Sequence, residues 1–298
     1  MSRVAGPFSR PRKDSQRARR DGVRNDSHDV SKQPDTRAEA EAIEERSGLR
    51  TPVIYEIVAK QGEEEMARPG ISLWWSGVAA GLSISFSLLA QGLLELQLPD
   101  APWRNLVTSL GYTVGFVMVV LGRQQLFTET TLTAVLPTMA HFSFAKLGRM
   151  SRLWLIVWIA NTVGTLGAAL FCSFTPVLAP ELLHGMLDIS ARMLEYSRLE
   201  MFFKAISSGF LIAAMVWLIP SAETAQFWVV TLMTWLIAAG GFVHIVAGSV
   251  EAFLLVSNGE LGLGAMVLDF TLPALLGNIV GGTALFALLS YAQVMKEI

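Results

Sequence analysis

Cysteine is nearly absent from this sequence, and charge is scarce over most of its length. Cys172 is the one cysteine in 298 residues, which excludes an intrachain disulfide, a thiolate metal centre and a cysteine-pair redox site, and leaves Cys172 as a small core residue. Of 23 Lys/Arg and 25 Asp/Glu, 14 and 13 fall in residues 1–70, so only 9 and 12 remain for the other 228. No phosphate-loop pattern, metal-spaced His/Glu set or serine triad occurs, and no short apolar run with a cleavage site precedes Gly70. These absences argue against an enzyme, a resident cofactor, a bound metal and a uniform soluble domain. The body after residue 70 is more apolar than a globular core requires and suits a bilayer.

What is present divides the chain into three. Residues 1–50 mix Arg, Asp, Ser, Gln and Pro without apolar periodicity and are expected to form a disordered, charged leader. Its first 24 residues carry eight basic side chains (Arg3, Arg10, Arg12, Lys13, Arg17, Arg19, Arg20 and Arg24) against Asp14 and Asp21. Ahead of membrane spans such a run serves as a topology signal or an anionic-lipid patch, and no nucleic-acid partner is expected. Residues 51–70 are expected to form an interfacial amphipathic helix: Val53, Ile54, Ile57, Val58 and Ala59 supply an apolar face, and the segment ends at Pro69-Gly70.

Residues 71–298 contain six stretches long enough to span a bilayer, near 71–94, 105–140, 153–178, 200–219, 227–257 and 267–291. The second and fifth are too long for one straight helix and carry polar residues midway, Gly122-Arg123-Gln124-Gln125 and Gly240-Gly241 through His244. Both read as broken helices. Lys146, Arg149 and Arg152 lie between spans two and three, on the side of the basic leader if spans alternate, which puts both termini in the cytoplasm.

An internal repeat supports the same plan. Asn161-Thr162-Val163-Gly164 in span three and Asn278-Ile279-Val280-Gly281 in span six share an Asn-x-Val-Gly core. Stepping back 33 residues from Asn161 reaches Thr128, and 34 from Asn278 reaches His244, so the breaks occupy equivalent places. Three spans followed by three insert the second unit upside down, the inverted repeat of many transport proteins, with half-helix N-termini meeting at the midplane. An all-α membrane protein of six helices in two inverted triplets is expected.

Taken together, Leu126-Phe127-Thr128 in one break, Gly241-Phe242-x-His244 in the other and Gly277-Asn278-Ile279-Val280-Gly281-Gly282 in span six resemble the formate/nitrite transporter family, in particular its YfdC-like branch, over roughly residues 50–298. The resemblance implies an aquaporin-like protomer and a homopentamer in the bacterial inner membrane. It also implies passage of small monovalent anions or their conjugate weak acids, of the formate, nitrite or hydrosulfide type. By resemblance Thr128 is the pore-facing loop threonine, His244 the central histidine, Leu126 and Phe127 the cytoplasmic-side loop, and Lys204 the fourth-span basic residue. Tyr112, Phe116 and Ile237 fall at the apolar constrictions, and Asn161 and Asn278 match the paired repeat asparagines. Departures from the pattern are Val243, Gly209, Gly248 and Glu129.

Several of these residues have a second reading. His244 is the one histidine of four placed deep in the membrane and is either a proton-sharing ligand or a core histidine bonded to a backbone carbonyl. Thr128 either faces the guest or caps a half-helix. Lys204 either attracts anions or is an interfacial residue that pairs with Glu200, four residues earlier, or snorkels along its apolar stem. Arg123 and Glu129, charged at membrane depth, are expected to pair with each other or across a subunit boundary. At the level of function, a neutral small-solute channel and a pentameric scaffold with a partner- or lipid-binding leader stand beside the proton-coupled anion transporter.

Overall fold

The computed structural model describes residues 48–297, and the described residues form helices joined by turns and short loops, with no strand among them. Apart from residues 48–50, the leader expected to be disordered lies outside the described residues. Helix α1 (Thr51–Ala67) starts with proline in its first turn, where the missing N–H costs nothing, and stops as Arg68 turns extended before Pro69. It buries Tyr55, Val58, Gly62, Glu65 and Met66 along one stripe. That stripe packs against protein: the Tyr55 hydroxyl donates to the Leu136 carbonyl at 3.2 Å, and a Cβ on Gly62 would sit 1.8 Å from the Thr133 carbonyl oxygen.

The membrane body follows as α2 (Gly70–Gln97), α3 (Arg104–Leu121), α4 (Phe127–Thr133), α5 (Val135–Ala140), α6 (Phe144–Phe174), α7 (Pro180–Ala191), α8 (Arg198–Leu218), α9 (Gln226–Ala239), α10 (Ile245–Ser257) and α11 (Leu263–Val294). Five of these helices, α2, α3, α6, α8 and α11, are long and apolar enough to cross a membrane, while α9 and α10 are shorter apolar pieces of one broken span. Large apolar side chains such as Phe86, Leu155, Phe171, Phe203 and Leu289 stay exposed on the bundle's outside, the pattern of a surface meant for lipid or for a neighbouring subunit. Span three begins at Phe144, earlier than its hydropathy suggests, because the Ser143 side chain caps the helix by accepting from the Lys146 N–H; the basic residues 146, 149 and 152 are therefore helical. The connection after span three is also structured, as α7 and a 3-10 turn at Arg192–Glu195.

The two breaks are built alike. Gly122 and Gly240 end α3 and α9, and the next residue takes a left-handed conformation, Arg123 at φ 50° and Gly241 at φ 61°. A further N–H then reaches back five residues, Gln124 to Val119 (3.0 Å) and Phe242 to Ile237 (2.9 Å), a Schellman-type closure. Glycine adopts that φ freely, whereas Arg123 does so against the usual steric preference.

Each break is then tied to a third span by one asparagine. Asn161 on α6 donates from Nδ2 to the carbonyls of Gly77 and Gln125, both at 2.9 Å, and its Oδ1 accepts from the Phe127 N–H at 2.9 Å. Asn278 on α11 donates to the carbonyls of Ala205 (2.7 Å) and Val243 (3.0 Å) and accepts from the Ile245 N–H (2.8 Å). Without these two side chains, backbone groups freed by the breaks would have no water to turn to. The small residues obey the same symmetry: Cβ atoms on Gly81 and Gly209 would lie 2.3 and 2.4 Å from the Asn161 and Asn278 carbonyl oxygens. Gly209, a departure from the family pattern, is thus required by close helix approach.

The matched bonds also refine the register of the repeat. Phe127 corresponds to Ile245 and Gln125 to Val243, so the counterpart of His244 in the first half is Leu126, and each is the N-cap residue of its half-helix. Thr128 corresponds to Val246. Thr128 and His244 meet because the half-helices face each other, not because they are equivalent positions.

Candidate functional site

His244 stands in extended conformation at the start of α10, and its Nδ1 accepts from the Ala247 N–H at 3.2 Å. An accepting Nδ1 carries no proton, so the neutral ring bears its hydrogen on Nε2. Nε2 lies 2.7 Å from the Thr128 hydroxyl oxygen and therefore donates to it. Neither side reading made from sequence describes these residues: the ring bonds a backbone N–H and Thr128 instead of a backbone carbonyl, and the Thr128 oxygen caps nothing. The pair joins the two broken spans, with Thr128 0 % and His244 1 % exposed.

Aromatic side chains of α3 close the space around the pair. Phe116 meets the His244 ring edge-on at 5.0 Å between centroids, and Tyr112 packs on Phe116 at 5.1 Å. Phe116 and Ile237 are fully buried. A cavity of about 390 Å³ leads from the end of the bundle bearing α7 down to His244; Tyr112, Lys204 and Gly241 are among its walls. Lys204 donates from Nζ to the Gly241 carbonyl at 3.2 Å and lies 4.4 Å above the Tyr196 ring. It makes no pair with Glu200, whose carboxylate accepts from the Ser197 N–H (2.9 Å) and hydroxyl (2.7 Å) in a capping box.

Other candidates are placed differently. Leu126 and Phe127 are buried, but the Phe127 ring packs edge-on against Trp154 of α6 at 5.9 Å, away from the cavity. Arg123 and Glu129 form no ion pair among the described residues. Arg123 is exposed on its left-handed turn, while Glu129 follows the inward-facing Thr128 and holds a buried, unpartnered Oε1. Gly248 leaves room for Phe270, whose ring would lie 2.8 Å from a Cβ there.

Sequence reasoning missed five polar residues of the cavity wall, Gln91, Asn105, Arg192, Tyr196 and Glu251. Glu251 was the detectable one, a carboxylate seven residues beyond His244 within an apolar helix. Arg192 and Tyr196 belong to the folded connection and follow no period.

This arrangement, two half-helices meeting across a threonine–histidine bond at the end of a vestibule, is that of a membrane transport protein. The family model for "Formate/nitrite transporter" matches residues 52–292, and the chain belongs to that family. Among curated relatives it is 44% identical to "Inner membrane protein YfdC" of Escherichia coli (strain K12) over 257 residues, 86% of this chain and 83% of that protein. It is 27% identical to "Formate channel FocA" of Haemophilus influenzae over 241 residues, 72% and 84% of the two chains. Among solved structures, an "FNT family ion channel" superposes with TM-score 0.71 at 20% identity, covering 80% of this chain and 98% of the other. A "Pentameric formate channel with formate bound" does so with TM-score 0.65 at 19% identity, covering 76% and 98%. The protein is thus a YfdC-like, multi-pass inner-membrane member of a transporter family, not an enzyme.

Proposed function

We propose that the protein is a homopentameric conduit for small monovalent anions and their conjugate weak acids, in which His244 and Thr128 receive the guest and share its proton. The observation that carries the reading is the Thr128–His244 bond at the blind end of the vestibule. A bare anion crosses the apolar collar of Phe116 and Ile237 at a desolvation cost of several kcal/mol, whereas its neutral acid does not. Lys204, with ammonium hydrogens beyond the one given to Gly241, draws an anion toward the collar. The guest then displaces Thr128 as the acceptor of the His244 Nε2 hydrogen while the Thr128 hydroxyl donates to it, and a proton from the vestibule side neutralises it for passage. Names of relatives that carry formate support this substrate class.

In this reading both termini and the basic residues 146, 149 and 152 face the cytoplasm, and the vestibule opens to the outside. Purified protein in liposomes, loaded with a pH dye and challenged with formate or nitrite at two pH values, tests it. Weak-acid uptake that His244→Asn abolishes, together with its pH dependence, is the expected result. Uptake unchanged in that variant overturns the proton-sharing role, and osmotic swelling without weak-acid uptake marks a neutral-solute channel instead.

A further inference from the structure

The Thr128–His244 pair can bond a guest but cannot supply the proton that makes it neutral. Nδ1 of His244 accepts from the Ala247 N–H, so the ring holds a single hydrogen, on Nε2. Giving that hydrogen up would leave an imidazolate, and giving up the Thr128 hydroxyl hydrogen an alkoxide, both far stronger bases than the guest. The donor must therefore lie elsewhere on the cavity wall. Its other ionisable groups are Tyr112 of α3, Arg192 and Tyr196 of the connection, Lys204 of α8 and Glu251 of α10, and neither α6 nor α7 adds one. Phenol and ammonium groups ordinarily ionise near pH ~10 and guanidinium above ~12, against ~4.3 for a glutamate carboxyl, so Glu251 alone has the chemistry to protonate a weak-acid anion.

Glu251 is also in the right place. It stands two helical turns beyond His244 on the same face of α10, about 10 Å nearer the vestibule mouth. Its carboxyl makes no ion pair or hydrogen bond among the described residues, and the neighbouring charges are engaged: Arg192 gives its guanidinium to Glu95 of α2 at 2.9 Å, and Lys204 is held by Gly241 and Tyr196. On α11, Asp269 beside the wall residue Phe270 is bonded to Arg198. A carboxylate left unpaired in such a wall is costly, so Glu251 rests as the uncharged acid and leaves the attraction of Lys204 for an anion intact.

We propose that Glu251 is the proton donor on the vestibule side, the acid that neutralises a guest anion waiting at Thr128 and His244. The inference rests on the transport reading above and names the group that turns an anion into a passable acid. The Glu251 O–H bond breaks with its electron pair kept on the carboxylate, the proton moves to a vestibule water, and that water gives one of its own hydrogens to a guest oxygen. Arg192, on the same wall, steadies the carboxylate until hydronium from the outer solution restores the acid.

The test is protein-dependent formate uptake by the full chain in liposomes, at fixed total formate and equal pH on both sides, followed from about pH 6 to about pH 8. The parent should lose less than about tenfold per pH unit, because Glu251 collects the proton. Glu251→Gln should be slowed about 100-fold at neutral pH and should fall the full ~tenfold per unit, following the formic acid already formed in solution. Glu251→Asp, which keeps the acid, should stay within about tenfold of the parent. A glutamine variant with the parent's rate, or one slowed alike at every pH, overturns the proposal. So does a parent that itself falls the full ~tenfold per unit, a reading that needs no variant if Glu251→Gln does not elute as the parent oligomer. Uptake lost in His244→Asn but kept in Glu251→Gln removes the donor alone; a parent with no uptake above empty liposomes removes the transport reading as well.

Discussion

Replacing Asn278 with alanine deletes three hydrogen bonds at one stroke, to the Ala205 and Val243 carbonyls and from the Ile245 N–H. Ala205 lies within a continuous helix and retains a helical partner, but Val243 and Ile245 flank the break and depend on the side chain. Each buried group left unpaired costs about 1–3 kcal/mol, so the loss is about 2–6 kcal/mol in a place with no water to replace the amide. Asn161→Ala should cost the same within about 1 kcal/mol, because its three bonds, all 2.9 Å, serve matching backbone positions. Heating detergent-purified protein and measuring the oligomer left by fluorescence-detected gel filtration compares the variants directly. Both should lose apparent melting temperature by similar amounts, and either one matching the parent would refute the claim that a single side chain holds each break.

Three other outcomes follow from the same geometry. Thr128→Val removes the hydroxyl that accepts from His244 and should lower weak-acid uptake ~10- to 100-fold, with Thr128→Ser near the parent, as liposome flux would report. Gly62→Ala sets a methyl against the Thr133 carbonyl and should release α1 from the bundle, seen as faster hydrogen exchange over residues 51–67 with the spans unchanged. Burial raises the Glu65 carboxyl above the usual carboxylate range, against the opposing hydrogen bonds from Thr133, Gln61 and Gln125. A raised pKa in the docked state means that docking of α1 is strongest below the free carboxyl's pKa and weakens as pH climbs through the raised value. Hydrogen exchange of α1 should therefore quicken with rising pH beyond its intrinsic base catalysis, and Glu65→Gln should abolish that excess.

The parts legible from sequence were those that hydrophobicity and special backbone residues control. Spans one, four and six declare themselves by length, and the breaks by Gly122, Gly240 and Gly241, residues whose lack of a side chain the turns use. Asn161 and Asn278 were visible as a shared motif, although which groups they bond was not. The repeat register slipped by two residues at the breaks because counting between unlike side chains cannot separate Leu126 from Thr128 as the partner of His244; only the backbone hydrogen bonds do. The start of span three was misplaced since Lys146, Arg149 and Arg152 lower local hydropathy without opposing helix formation. Docking of α1 was hidden for a similar reason: Glu63, Glu64 and Glu65 look alike in the chain, yet Glu65 alone turns inward to Thr133 at 2.5 Å.

Where α2 touches α6, a Cβ on Gly77 would lie 2.7 Å from that of Ala160; where α8 touches α11, a Cβ on Gly277 would lie 2.6 Å from that of Ala205. The hydrogen-bond match makes Gly77 the twin of Ala205, so the bare residue has changed sides while each contact still holds one glycine and one alanine. What the two halves share at this crossing is a thickness divided between two helices, not a letter at either. Aligning the halves by residue identity scores both positions as mismatches, and their likeness is plainer in the shape of the chain than in its text.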